Sequence, residues 1–291
     1  MLIIKKYILT PLLFLLSKLP ISWLRFIGYW IGICGLKFSK KTSKRLINNL
    51  LRTGIASELN VDIVAKQSAG ELGKTFIETI CIAWPRSSQY CDKLIKAWNG
   101  FDAVLNQQNL DKPIIFLTPH IGNFEIMVKA VANRFKKDVT ILYKPSKDAW
   151  FHQLMLSGRT GKGINPVPTN NKGVIALIRA LKRKEYIGVL PDSVASQGDG
   201  VWVNFFGNKV FATTLSAKMI LSDDAAVFVA AAYRVTGGFS LDFIPYIRKS
   251  DDVNTIVQDI YDIMERLVIK SPTQYFWSYD RFRVPNHAKY L

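Results

Sequence analysis

Apolar positions in Val61–Ala83 (Ile63, Val64, Leu72, Phe76, Ile77, Ile80) follow the spacing of one helical face, so a helix is predicted there. Tyr90–Gln108 has no regular period. Short apolar runs then alternate with amphipathic ones. Strands are predicted at Pro113–Thr118, Val139–Tyr143, Ile164–Pro168 and Tyr186–Leu190. Helices are predicted between them at Asn123–Arg134, Trp150–Leu156 and Lys172–Lys184. Further on, Val201–Phe206, Ala225–Tyr233 and Phe239–Ile244 read as strands, Thr213–Leu221 and Asp251–Ile269 as helices, and Gln274–Tyr279 as a last extended piece. Val227–Ala232 is apolar on both faces, as a central strand is. Strands interleaved with helices predict an α/β fold, a central mixed sheet flanked by helices. Composition shifts near Arg52–Asn60, which predicts a segment 1–55 and a main domain 56–291.

The first segment differs in kind. It has no acidic residue before Glu58 but ten Lys and Arg residues, from Lys5 and Lys6 to Arg52. Two apolar blocks, Tyr7–Ser17 and Phe26–Leu36, are eleven residues each. A spanning helix needs about 20. Lys18 and Arg25 interrupt the stretch, and Pro11 and Pro20 break its helical continuity. A secretory signal fits less well, because no small-x-small cleavage site follows the apolar core. The expectation is a membrane-anchoring helical segment, lying in or dipping into a bilayer, with Trp23, Tyr29 and Trp30 at headgroup level. A single spanning anchor and a buried helical hairpin are the alternatives. Over the whole chain, 39 Lys and Arg against 22 Asp and Glu give a net charge of +17, which attracts polyanions. No nucleic-acid motif is present, so anionic membrane lipid is the expected partner rather than nucleic acid. Cys34, Cys81 and Cys91 form no CxxC pair, and buried free thiols are expected.

Of three histidines, His120 stands out. It follows the predicted strand in Thr118-Pro119-His120-Ile121-Gly122-Asn123-Phe124-Glu125. Pro119 disfavours helix before it, Gly122 permits a tight turn, and Asn123 is a good N-cap. Glu125 would then sit in the first helical turn, folded back to orient the imidazole as a base. No metal-ligand spacing links His120 with His152 or His287, so no metal is expected. Arg159 and Lys162 lie among Gly158, Gly161 and Gly163, a setting suited to a phosphate on a lipid or carrier. Asp192 ends a strand, where α/β proteins place their sites. Two readings stand for it: holding Arg159 or a loop, or simply forming a turn. Phe205-Phe206-Gly207 reads equally as the lining of an apolar tunnel or as core. The basic run Arg179, Lys182, Arg183 and Lys184 is either a solvated face or a docking face for an acidic carrier or membrane.

His120-Ile-Gly-Asn-Phe-Glu125 resembles the H-x4-D/E motif of lysophospholipid-type acyltransferases, most closely the lipid A biosynthesis branch. Arg159 with Gly161, Pro191-Asp192-Ser193, Val201–Gly207 and the tail Pro272–Phe282 follow that pattern in order. Ser193 and Asn204 depart from it, as do Tyr275 and Phe276. The resemblance implies a glycerolipid acyltransferase-like fold and catalytic His120 and Glu125. It also implies acyl transfer from acyl carrier protein, or coenzyme A, to a hydroxyl of a lipid A precursor. Gly122, Asn123, Arg159, Lys162 and Asp192 would contact substrate, and no cofactor would be needed. The expected location is the cytoplasmic face of a bacterial inner membrane. An acyltransferase for another glycolipid, aminolipid or glycerophospholipid is the nearer alternative. A non-catalytic basic binding protein is the remoter one.

Overall fold

A computed structural model describes residues 7, 9–83, 86, 88–161, 163–195, 199–286 and 288. Lys162, His287, Lys5 and Lys6 lie outside the described residues. The amino-terminal third is helical: α1 (Thr10–Leu16), α2 (Ile21–Phe38), α3 (Lys40–Arg52) and α4 (Val61–Glu78). A π-helical turn, Thr79–Ala83, extends α4. Then come α5 (Ser88–Lys93), β1 (Ile95–Asn99), α6 (Phe101–Asn109), β2 (Ile114–Leu117), α7 (Phe124–Phe135), β3 (Val139–Tyr143), α8 (Ala149–Arg159) and β4 (Ile164–Pro168). The remainder is α9 (Asn171–Lys182), β5 (Tyr186–Val189), β6 (Gly200–Phe205), β7 (Asn208–Thr213), α10 (Leu215–Ser222), β8 (Ala226–Val235), β9 (Gly238–Tyr246) and α11 (Val253–Lys270).

Seven strands form one mixed sheet in the order β1-β9-β8-β2-β5-β3-β4, with β8 and β9 its antiparallel pair. The predicted α/β class therefore holds. Strand β2 shows why its sequence is apolar throughout. Ile114 and Phe116 pack with α6 and α7 on one face, while Ile115 and Leu117 pack with α9 and α11 on the other. Alternate side chains point to opposite faces, and helices cover both. Strand β1 falls in the stretch without a period, and β6–β7 forms a separate hairpin. The expected extended piece Gln274–Tyr279 is not a strand. Pro272–Gln274 is a 3-10 turn, and Tyr275 reaches Ile121 through a single bridge.

The amino-terminal segment packs on the main domain. Helix α2 crosses α4 where both carry glycines. A Cβ on Gly32 would stand 1.9 Å from the carbonyl oxygen of Ala69, so only glycine permits this approach. Asn49 of α3 donates to the carbonyls of Trp277 (2.7 Å) and Tyr279 (2.9 Å) in the tail. Among the described residues no helix is long and apolar enough to cross a membrane. The expected membrane anchor is therefore not supported: the segment divides into the seven-residue α1, with Pro11 in its first turn, and the 18-residue α2, which starts just after Pro20. Cys81 and Cys91 are buried, and burial pushes the Cys81 thiol up to about 11; Cys34 is exposed, against expectation.

Candidate active site

The site is built at the carboxyl edge of the sheet by two neighbouring parallel strands in register, with Leu117 opposite Val189. Each chain then continues through one residue and a proline: Leu117-Thr118-Pro119-His120 and Val189-Leu190-Pro191-Asp192. Equal offsets from paired residues bring His120 and Asp192 side by side. His120 Nδ1 lies 2.8 Å from Asp192 Oδ1, and the His120 amide donates to Asp192 Oδ2 at 3.1 Å. Asp192 is buried, and two tail residues complete its surroundings. The Tyr275 hydroxyl donates to Oδ2 at 3.2 Å, and Arg281 Nη2 pairs with the same oxygen at 3.3 Å. Burial opposes ionisation of Asp192, but the charges of His120 and Arg281 outweigh it and hold the carboxyl well below the usual carboxylate range. Burial raises the Tyr275 hydroxyl well above its ordinary value, so it stays a neutral donor.

This corrects the expected partner of His120. Glu125 does follow the N-cap Asn123, in the first turn of α7. Its two oxygens are taken by Arg159 of α8: Nε donates to Oε2 at 3.0 Å, and Nη2 donates to Oε1. Phe124 meets the imidazole edge-on at 4.9 Å. Asp192, for its part, holds His120 rather than Arg159. The charges are sorted into two pairs, His120 with Asp192 and Arg159 with Glu125.

His120 from the first pair, and both Glu125 and Arg159 from the second, open on one cavity of about 240 Å³, with Asp192 buried behind the imidazole. Its polar lining includes His120, Glu125, Arg159 and Gln274; Leu72, Phe76, Ile80, Phe151, Met155 and Phe276 make it largely apolar. With Nδ1 engaged by Asp192, Nε2 is the imidazole nitrogen left to exchange a proton with a substrate. The amides of the turn are committed within the protein: Ile121 to Pro119, Gly122 to Gln274 at 2.9 Å, and Asn123 to Ala232 at 3.1 Å. They are therefore not available as oxyanion donors.

The remaining candidates separate cleanly. Gly122 has φ +57°, and Asn123 is a buried N-cap, so both shape the turn. Phe205 is in the core, ring against ring with Tyr261 and Tyr275; Phe206 and Gly207 form the β6–β7 turn with φ +49° and +70°. They do not line the cavity, and Phe205 instead backs the tyrosine that holds Asp192. In the basic run, Arg183 pairs with Glu185 and Lys184 with Asp111. Sequence reasoning assigned no role to Tyr275 or Arg281, although both lie in the quoted tail.

A histidine held by a buried carboxylate at the end of a parallel strand, facing an apolar cavity, is an arrangement in which α/β proteins place their sites and which suits proton transfer. Comparison with known sequences makes this specific. The pattern of the bacterial lipid A biosynthesis acyltransferases matches residues 2–284, and the chain belongs to that family of acyltransferase enzymes. It is 24% identical over 281 residues to the lipid A biosynthesis lauroyltransferase of Escherichia coli K12, covering 93% of this chain and 89% of the relative. A Haemophilus influenzae lipid A biosynthesis acyltransferase is 23% identical over 275 residues, covering 91% and 86%. The Escherichia coli K12 palmitoleoyltransferase is 22% identical over 281 residues, covering 93% and 88%.

Proposed function

We propose that this enzyme moves a fatty acyl chain from a thioester of acyl carrier protein, or of coenzyme A, to a hydroxyl of a lipid A precursor. The observation that carries the reading is His120, fixed by Asp192 through Nδ1 at the wall of an apolar cavity. No serine or cysteine lines that cavity among the described residues, and among the hydroxyls that do, Thr75 is bonded to the Gly122 carbonyl and Tyr275 to Asp192; the attacking oxygen in this reading is the acceptor's. His120 Nε2 takes the hydroxyl proton as the oxygen attacks the thioester carbonyl carbon. The C–S bond then breaks, and the imidazolium returns the proton to the departing thiolate. Asp192 stabilises the imidazolium, as the carboxylate does in a hydrolase triad. Arg159, aimed by Glu125, offers positive charge to the oxyanion or to an acceptor phosphate.

The lipid setting has separate support. Trp23, Phe26 and Trp30 of α2 and Phe14 and Leu15 of α1 are exposed, with Phe38 88% so. Lys37, Lys40 and Lys44 line an open groove where α2 meets α3, next to Phe38 in sequence. Phe76, which lines the cavity, is half exposed on the helix that packs against α2. This surface suits a monolayer interface on the cytoplasmic face of the inner membrane.

The test is purified enzyme with acyl carrier protein and coenzyme A thioesters of several chain lengths, offered lipid A precursors and glycerophospholipids, with products read by mass spectrometry. Acylated precursor is expected. His120→Ala should lower transfer roughly 10²–10⁴-fold with folding unchanged. Near-native transfer by that variant overturns the role of His120, and acylation of glycerophospholipid alone overturns the acceptor.

A further inference from the structure

Behind the His120 turn lies a second set of charges that acyl transfer does not use directly. Glu78, the last residue of α4, is completely buried. Its Oε1 accepts from Arg25 Nε of α2 at 2.6 Å. Its Oε2 accepts from Arg234 Nε of β8 at 2.8 Å and from Asn123 Nδ2 at 3.2 Å. Arg234 spreads further: Nη1 pairs with Glu71 at 3.2 Å, while Nη2 donates to the Thr75 hydroxyl and, at 3.2 Å, to the carbonyl of Gly122. Thr75 donates to that same carbonyl at 3.0 Å. Glu71, Thr75 and Glu78 are spaced four and three residues apart, so one stripe of α4 carries all three.

Stability alone does not account for this arrangement. A carboxylate buried between guanidiniums gains little over apolar side chains of equal volume. What it supplies is direction, and the directed bonds end on the turn. Two donors hold the Gly122 carbonyl. Glu78 holds the Asn123 amide nitrogen, which fixes the flip that lets Asn123 Oδ1 cap the Ile126 amide at 3.3 Å. That cap starts the helix bearing Glu125. Arg25 completes the set by donating to the carbonyls of Val235 and Gly238, each at 2.7 Å, so α2 is fastened to the same core.

We infer that Glu78, acting through Arg234 and Thr75, is a positioning residue for acyl transfer: it fixes the Gly122–Asn123 turn so that His120 and Glu125 face one cavity. The inference rests on the acyl-transfer reading above, and the tests separate the two. Glu78→Gln keeps the volume and leaves guanidiniums uncompensated, so Tm and kcat both fall. Glu78→Gln/Arg234→Met also removes one of the two orphaned cations, leaving Arg25 on the carbonyls of Val235 and Gly238, and Glu71 on Lys74. Its Tm should recover most of the loss while kcat stays at least about tenfold down, with the acceptor KM within about twofold. Thr75→Val, which preserves shape, should lower kcat about threefold or more with little change in Tm. In the double variant and in Thr75→Val, amide hydrogen exchange should quicken at Gly122–Ile126 and not in the sheet. Recovery of kcat along with Tm in the double variant, a native kcat in Thr75→Val, or unchanged exchange across the turn overturns the proposal. Absence of transfer by the wild-type enzyme overturns the functional reading instead, and the exchange measurement still decides the positioning role.

Discussion

Asp192 is where the residue-level argument is sharpest, because one carboxylate receives the His120 ring, the His120 amide, Tyr275 and Arg281. Replacing it with asparagine keeps the shape and removes the charge that fixes the imidazole. Asp192→Asn should lower kcat by on the order of 10²–10⁴. The same variant should change the acid response. Asp192 ionises at lower pH folded than unfolded, so its contribution is complete above about pH 4 and is lost as pH falls through the depressed value. Wild-type unfolding free energy should therefore drop on acidification by up to about 1.4 kcal/mol per pH unit from this group, and the variant should lack that slope. Urea titrations at a series of pH values check it; equal slopes would remove Asp192 from the account. His120 and Asp192 were both visible in the sequence as residues at strand ends. Their pairing was obscured because Glu125 is nearer in sequence, and Arg159, which takes Glu125, arrives from a different helix.

At the level of elements, adjacent parallel strands with equal offsets make the site. The matching Leu-Thr-Pro-His and Val-Leu-Pro-Asp endings carried that signal, but reading it requires knowing that β2 and β5 are neighbours. Sequence order hides this, since β3 and β4 intervene along the chain and lie outside β5 in the sheet. The short apolar strands bounded by polar residues were legible: β3 and β4 match their predicted bounds residue for residue. β1 and β7 were not, since each is held largely by its partner strand. The turn joining β2 to α7 is tighter than its motif indicated. Gly122 has φ +57°, and a Cβ there would stand 1.8 Å from the Ala232 carbonyl oxygen. Gly122→Ala should cost about 2–5 kcal/mol, combining left-handed strain with a backbone clash. Denaturant unfolding measures this; a loss below about 1 kcal/mol would mean the turn relaxes freely and does not hold His120.

The whole molecule joins a compact catalytic sheet to a helical segment whose outer surface is apolar and basic. Composition made the segment conspicuous, yet it is packed into the enzyme through Gly32, Arg25 and Asn49 rather than hung from it. Docking on a bilayer would therefore position the cavity as well as tether the protein. Lys37, Lys40, Lys41 and Lys44 are the cations nearest the exposed Phe38 in sequence. Each lysine near an anionic surface is worth roughly 1 kcal/mol, so replacing all four with glutamine should weaken binding to vesicles containing anionic phospholipid on the order of 10²–10³-fold. Binding to zwitterionic vesicles, driven by Trp23, Phe26 and Trp30, should change far less. Brominated lipids should quench fluorescence from Trp23 and Trp30, and Trp23→Phe/Trp30→Phe should lose most of that quenching. Added salt should mimic the lysine replacements as screening tightens. Equal binding of wild type and the four-lysine variant to anionic vesicles, with no quenching from Trp23 or Trp30, would place the bilayer contact elsewhere on the molecule and leave the apolar face of α2 without that role.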